Sequence, residues 1–261
     1  MNENALDLIL DMAIKAGKVL MRHFGKLNSF EYKGDKDLVT LADRESESLL
    51  AELCGKYFPN CDFLAEESHH PEWGKRPCLV ADPLDGTTNF AHGFFVFSIS
   101  IGLVEEGKII AGVVHAPALN ETYTALYGQG AMLNKKHIHV STTAKLSESL
   151  LSTGFPYDIK TARFNNLEQF SAFAKAAQGV RRVGSASLDL CFTAAGRFDG
   201  FWEFGLKPWD MAAGALIVSE AGGLATDTAG VPLDLNSGRI LATNGLIHNE
   251  MIEIIQKTMR E

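Results

Sequence analysis

Val80-Ala81-Asp82-Pro83-Leu84-Asp85-Gly86-Thr87-Thr88-Asn89-Phe90 decides how the rest of this chain is read. Two aspartates stand three residues apart on a turn. Ahead of it, Phe63-Leu64-Ala65 and Pro77-Cys78-Leu79-Val80 are short apolar runs that read as strands. Two carboxylates close together at the end of a buried strand repel, and one protonates unless a cation neutralises the pair. Glu66-Glu67 precedes the motif, and Trp209-Asp210 lies far beyond it. Hard oxygen ligands in such a cluster suit magnesium.

Asp82, Asp85 and the Leu84 carbonyl can face one side of a tight turn. A bridging carboxylate, a second carboxylate and a backbone oxygen form most of a two-metal site. Two magnesium ions about 3.5–4 Å apart can activate a water, hold a phosphate and stabilise the leaving oxygen. Gly86 lets the backbone approach a ligand, and the amides of Gly86 and Thr87 would open a short helix and point at an anion. Thr87 can orient the attacking water or take its proton. The plainer alternative is an Asp-Gly turn followed by a threonine N-cap, and the flanking acids weigh against it.

Each flanking acid has two readings. Glu66 either completes a metal site and acts as base toward a water, or belongs to a solvated acidic loop. Asp43 is either an exposed first-turn acid favoured by the helix dipole or a partner that helps Thr87 carry a proton. Asp210 is placed to cap the helix that Pro208-Trp209-Asp210 opens. The small residues Ala212, Ala213, Gly214 and Ala215 mean that this helix packs close to a neighbour, which would enclose Asp210 where a cation could recruit it.

At 261 residues the chain can bury a sizeable core. Its net charge of -8 comes without a lysine or arginine block, and Arg181-Arg182 is no nucleic-acid patch. The acid excess suits a cation-binding pocket. Cys54, Cys61, Cys78 and Cys191 have no metal-site or disulfide spacing and read as thiols of a reducing cytoplasm. The amphipathic start does not read as a signal peptide, and the apolar run from Phe94 to Val104, broken by Ser98, Ser100 and Gly102, reads as too short for a membrane span.

Apolar spacing predicts helices over 4–24 and 41–57, with a charged mobile loop at 31–37 between them. Antiparallel strands are expected near 61–65, 77–82, 95–105, 108–115, 120–127 and 131–140, with a hairpin turn at Glu105-Glu106-Gly107-Lys108. Beyond Thr143 helices (162–178, 186–196, 210–221, 247–260) alternate with strands (149–153, 180–184, 198–203, 223–227, 239–243). No linker divides the chain, and the two halves are expected to pack as one unit, because each carries candidate ligands. The order suggests a layered α/β or α+β architecture. Two decoys are set aside. Cys191 and Arg197 match the bare spacing of cysteine phosphatases but fall on a helix, where a core thiol is expected. His137-Ile138-His139 lacks a third zinc ligand and reads as an exposed edge strand.

These residues resemble the inositol monophosphatase family, within the lithium-sensitive, magnesium-dependent phosphatase superfamily. The likeness rests on Asp37-Leu38-Val39-Thr40 with Asp43, Ala65-Glu66-Glu67-Ser68, Asp82 through Phe90, Gly184-Ser185-Ala186, Glu203, and Trp209-Asp210 through Gly223. It covers nearly the whole chain and implies one domain over 1–261: a first half, 1–143, with the metal-binding loop, and a second, 144–261, that completes the site. The implied fold is a layered α-β-α-β-α sandwich, α+β, of the inositol monophosphatase and fructose-1,6-bisphosphatase type, usually a homodimer.

Position by position, the resemblance implies that Glu66, Asp82 and the Leu84 carbonyl hold one magnesium and Asp82, Asp85 and Asp210 a second, with a weaker third ion near Glu66. Glu66 and Thr87, with Asp43 behind Thr87, would position the water. Asp85, Gly86 and Thr87 would meet phosphate, and Ala186, Glu203 and Asp210 the substrate hydroxyls. The implied reaction is hydrolysis of myo-inositol monophosphate by direct in-line attack of water. The alternatives are a broader sugar phosphatase that includes fructose 1,6-bisphosphate, an adenosine 3',5'-bisphosphate phosphatase, or a macromolecule-binding protein that retains the site. A small phosphorylated polyol or sugar is the expected partner, with no membrane and no nucleic acid.

Overall fold

A computed structural model describes residues 2–26, 31–32, 38–39, 41–66 and 76–259. The chain opens with α1 (Asn2–His23), whose Ile9, Met12, Ala13, Ala16 and Leu20 form one buried stripe. Gly25 closes it with the positive φ that a helix terminus favours. β1 (Glu31–Tyr32) and β2 (Leu38–Val39) pair antiparallel, so a small ladder brackets the charged segment expected as a loop; residues 33–37 lie outside the described residues. The first half continues with α2 (Leu41–Tyr57), β3 (Asp62–Ala65), β4 (Cys78–Asp85), α3 (Thr87–Ala91), β5 (Ser98–Glu105), β6 (Lys108–Ala116), β7 (Glu121–Leu126), β8 (Ala131–Leu133) and β9 (Lys136–His137). Then come β10 (Leu150–Thr153), α4 (Leu167–Ala176), β11 (Gly179–Arg181), α5 (Ala186–Ala194), β12 (Gly200–Phe204), α6 (Pro208–Glu220), β13 (Leu224–Thr226), β14 (Arg239–Thr243) and α7 (His248–Thr258).

Strands β3 to β9 form a seven-stranded sheet in chain order, and a five-stranded sheet runs β11-β10-β12-β14-β13. The hairpin between β5 and β6 turns on Glu106 and Gly107, both at positive φ, as the sequence predicts. Three expectations are corrected. β3 and β4 pair parallel, so the first sheet is not wholly antiparallel. The single strand expected over 131–140 is the short β8–β9 hairpin, because Asn134 and Lys135 both take the left-handed conformation that a tight turn requires. The helix expected from 162 begins only at Leu167. Asn166 stands at φ 68°, buried, with its amide donating to Thr153 Oγ1 and the Gly154 carbonyl and its oxygen accepting from Trp202 Nε1. A side chain committed to three tertiary partners starts the helix after itself.

The layers follow from which face each element buries. Helices α1 and α2 cover one face of the larger sheet, over a core that includes Leu50, Leu79, Ile99, Ile101 and Val113. Its other face, with Val114, Tyr123 and Ala125, packs against Leu188, Leu190, Met211 and Ala213 of α5 and α6. That core runs on into Phe201, Ile240 and Ala242 of the smaller sheet. On the far side, Trp202 and Leu241 meet Phe173, Met251 and Ile255 of α4 and α7. The result is the α-β-α-β-α sandwich. Each large side chain so buried contributes about 1.5–3 kcal/mol relative to exposure.

Helix α6 lies unusually close to the larger sheet. A Cβ on Gly102 would come within 2.9 Å of the Ala212 Cβ, and one on Gly112 within 3.0 Å of the Ala213 carbonyl. Glycines on the sheet facing alanines on the helix bring the start of α6 down onto the end of β4. Cys191 is a buried thiol of α5 whose pKa burial pushes up, in keeping with a core role. No helix among the described residues is long and apolar enough to cross a membrane.

Candidate active site

The stretch from Val80 to Phe90 carries the end of β4, and every residue of that strand is buried. In a regular strand, residues three apart face opposite sides. Here the register shifts between Asp82 and Asp85, with Pro83, which has no amide hydrogen to donate, inside the irregularity. The bulge turns both carboxyls into one cleft of ≈ 360 Å³. Ser46 of α2 donates to the Pro83 carbonyl at 2.9 Å, and the Leu84 amide donates to Asp82 Oδ1 at 2.9 Å. Gly86 follows at φ 93°, where a Cβ would stand 3.0 Å from the Val96 carbonyl, so conformation and space both require glycine.

Asp85 reaches across to the second half of the chain. Its Oδ2 accepts from Ser185 Oγ at 2.7 Å, Ser187 Oγ at 2.6 Å and the Ser187 amide at 2.8 Å, at the N-terminus of α5. Burial raises its pKa, and these donors pull the other way. Ser98 Oγ lies 2.8 Å from Ser187 Oγ, and Ser100 donates to the Trp209 carbonyl. The polar breaks in the apolar β5 run are thus the anchors of α5 and α6. Asn89 adds another tie, donating to the carbonyls of Val96 and Val183.

Thr87 is the first residue of α3, not its N-cap, which is Gly86. Its hydroxyl stands 3.1 Å from Asp43 Oδ1 and 3.0 Å from the Leu84 carbonyl. Asp43 is not an exposed first-turn acid but is 1% exposed in α2. One proton with two acceptors leaves the Thr87 oxygen able to accept from a water in the cleft.

Asp210 is the third residue of α6 rather than its cap: Lys207 takes that position, and its amide donates to Asp210 Oδ2 at 2.7 Å. The carboxyl keeps some solvent access but lies deep enough that burial, then the charge of Asp85, pushes its pKa up to about 8. It meets Asp82, whose pKa burial raises further with repulsion from Glu66, Asp85 and Asp210. Glu66 lines the same cleft just past β3, while Glu67, Ser68 and His69-His70 lie outside the described residues. Ala186 and Glu203 line it from α5 and β12. All the residues singled out from sequence except Asp43 line this cleft, and Asp43 joins it through Thr87.

The sequence reading missed Ser187, Lys207 and Asp189, and it named Ser185 only within the Gly184-Ser185-Ala186 motif and Arg182 only as no nucleic-acid patch, with no role in the cleft for either. A lone acid in the apolar run Ala186-Ser187-Leu188-Asp189-Leu190-Cys191-Phe192 was the available signal for Asp189, because a charge on a wholly buried helix needs a reason.

The chemistry of the donors fits divalent cations. Asp82 and Asp210 approach closely enough to share a proton, and without one only a cation could offset their repulsion. All the donors are hard oxygens, the kind magnesium takes. Among the described residues no three acidic, cysteine or histidine side chains already converge on one ion position. Their oxygens are turned to internal donors instead: Asp82 to Leu84, Asp85 to α5, Asp210 to Lys207. An entering cation would draw them from those partners.

A model of the inositol monophosphatase family matches residues 1–260. The chain is 45% identical to an inositol-1-monophosphatase of Synechocystis, covering 97% of this chain and 89% of that protein. It is 40% identical to a Thermotoga maritima protein named fructose-1,6-bisphosphatase/inositol-1-monophosphatase, over 98% and 97% of the two chains. It is 41% identical to the Nus factor SuhB of Pseudomonas aeruginosa, over 96% and 95%. The solved structure of an inositol monophosphatase from Anabaena superposes with a TM-score of 0.90 at 40% identity, covering 98% of this chain and 96% of that one.

Proposed function

This chain belongs to the inositol monophosphatase family and is a phosphatase, and we propose that it hydrolyses myo-inositol monophosphate to inositol and phosphate with magnesium. One observation carries the reading: carboxyls from both halves of the chain, Glu66, Asp82 and Asp85 from the first and Asp210 from the second, line one cleft beside the Thr87–Asp43 pair.

Glu66, Asp82, Asp85, Asp210 and the Leu84 carbonyl would hold two to three magnesium ions. Bound there, magnesium would supply Lewis-acid neutralisation of the phosphoryl charge and acidify water. The protein's own part is positioning. Thr87 accepts a proton from the attacking water and passes its own toward Asp43. Gly86 and Thr87 present backbone amides to the phosphate, and Ala186 and Glu203 meet the polyol. The phosphorus–oxygen ester bond breaks, and the leaving oxygen departs as a hydroxyl with a proton from the medium. Lithium inhibition, a homodimer and a cytoplasmic setting belong to the same reading; the four free thiols support the last.

The test is phosphate release at saturating magnesium from myo-inositol 1-phosphate, fructose 1,6-bisphosphate and adenosine 3',5'-bisphosphate side by side. A clear preference for the inositol ester in kcat/KM supports the proposal. The Thermotoga relative's double name favours a second reading, a broader sugar phosphatase, which comparable rates on the inositol and fructose esters would establish. No release from any ester would turn attention to macromolecule binding, the class that the Nus factor relative's name suggests.

A further inference from the structure

Asn166 stands at the base of the loop that forms one wall of the cleft. Gly154, Phe155, Pro156 and Tyr157 line the cleft on that side. The chain then runs out over exposed positions and returns at Asn166, the residue before α4. An asparagine there ordinarily caps its helix with its side chain. This one makes no such bond. Its amide nitrogen donates instead to the Gly154 carbonyl at 2.6 Å and to Thr153 Oγ1 at 2.7 Å, and its oxygen accepts from Trp202 Nε1 at 2.6 Å. Thr153 closes the ring of bonds by donating to the Trp202 carbonyl at 2.6 Å. The residue is fully buried, and its φ of 68° is one that few side chains adopt. A buried side chain that holds an unfavoured backbone and spends its donors away from its own helix has a task elsewhere.

Two supports of the wall meet at Asn166. The bond to Gly154, twelve positions away, clasps the loop at its base. The second support runs through α4. The Asn166 carbonyl accepts from the Phe170 amide at 3.0 Å, and the Phe170 ring packs 5.6 Å from the Phe155 ring. The wall so held has little slack. A Cβ on Gly154 would collide with the Glu203 carboxyl, and one on Gly205 would stand 3.0 Å from the Pro156 Cβ. The residues proposed for metal and phosphate stand on other elements: β4, α3 and α6.

We propose that Asn166 is a positioning residue: by clasping the 154–166 loop it keeps the cleft wall in place for the leaving group, and it sets substrate affinity without touching substrate. The inference rests on the phosphatase reading above and extends it to a residue outside the cleft. A wall already in place costs no ordering when substrate enters, whereas an unclasped loop must be ordered at the expense of binding. The phosphate end of the cleft should not register the change.

The experiment is steady-state kinetics with magnesium on the ester that wild type hydrolyses best, myo-inositol 1-phosphate on the reading above, with inorganic phosphate as competitive inhibitor. The proteins are wild type, Asn166→Gly, Asn166→Asp and Trp202→Phe. Glycine accepts the left-handed backbone and removes the clasp. In Asn166→Gly, KM should rise about 5- to 10-fold while kcat and the phosphate Ki stay within about twofold, the pattern of lost uniform binding. Asn166→Asp keeps the acceptor for Trp202 and at most one donor, so its KM should fall between. Trp202→Phe removes the other bond of Asn166 and leaves the clasp on Gly154, so the melting temperature should drop while KM stays near that of wild type. An unchanged KM in Asn166→Gly, a phosphate Ki that rises with KM, or an equal KM rise in Trp202→Phe would overturn the proposal, while wild-type turnover leaves the phosphatase reading standing. If Asn166→Gly does not fold, the same comparison on Asn166→Asp decides. A wild type that releases phosphate from none of the three esters above would overturn that reading first, and this proposal with it.

Discussion

Asp85 connects the two halves of the site with one carboxyl: three donors from the start of α5 hold one oxygen, and the cleft takes the other side. Asp85→Asn keeps the volume and an acceptor for those serines but removes the charge. Turnover should fall at least 100-fold while the melting temperature stays within a few degrees of wild type, read by phosphate release and thermal unfolding together. Normal turnover would remove Asp85 from the site. Thr87 makes a different prediction, because the role proposed for it is proton handling through Asp43. Thr87→Ala should lower kcat by about 100-fold or more with little change in KM, in the range for a lost acid–base group. Thr87→Ser, which keeps the hydroxyl, should recover most of it. Asp43 was legible from sequence as one of two readings, an exposed acid or a partner of Thr87, and the 44 residues between them left local pattern unable to choose. Asp189 was legible in principle from its apolar surroundings, but its place at the wall of the cleft is a fact of packing that no local pattern encodes.

Helix α6 shows how an element sets the site. Its alanines face glycines of β5 and β6, and that close approach places Asp210 beside Asp82. Gly112→Val should cost about 1–3 kcal/mol from overpacking, and activity should fall more than in a stability-matched control because α6 is displaced from the sheet. Denaturant unfolding with parallel assays checks both halves of this statement. An unchanged midpoint would mean that the contact is not tight. The small residues of α6 were readable as close packing, though not what they packed on. Helix periodicity found α1 and α2 nearly to the residue, because one-sided burial is a local signal. The late start of α4 was hidden because Asn166 answers to Thr153, Gly154 and Trp202, which are distant in sequence. Strand partners were hidden for the same reason, and the parallel β3–β4 pair was the result.

Across the whole molecule, five layers bring acids from both halves into one low-dielectric cleft, and their repulsion is a cost of the metal-free fold. Asp210 takes its proton at about 8 in the fold against 3.8 for the ordinary group. Between those values the metal-free folded chain binds a proton that the unfolded chain has released, so stability falls as pH rises. The melting temperature of chelator-treated protein should therefore drop from pH 5 toward 8 and level off above. Magnesium bound as proposed would replace that proton, so the rise it produces should grow over the same interval. At a concentration of about 100 Kd it should stabilise by about 2.7 kcal/mol, or roughly 5–10 °C. A magnesium effect that is the same at pH 5.5 and pH 8, followed by thermal unfolding, would contradict cation binding through these raised carboxyls.

The most direct measurement is magnesium-dependent phosphate release from myo-inositol 1-phosphate by wild type and Asp210→Asn. The account predicts turnover that needs magnesium in wild type and a loss of at least 1000-fold in a variant that unfolds at nearly the same temperature, about 4 kcal/mol of transition-state stabilisation. Equal rates in the two proteins, or a wild-type rate indifferent to magnesium, would contradict it.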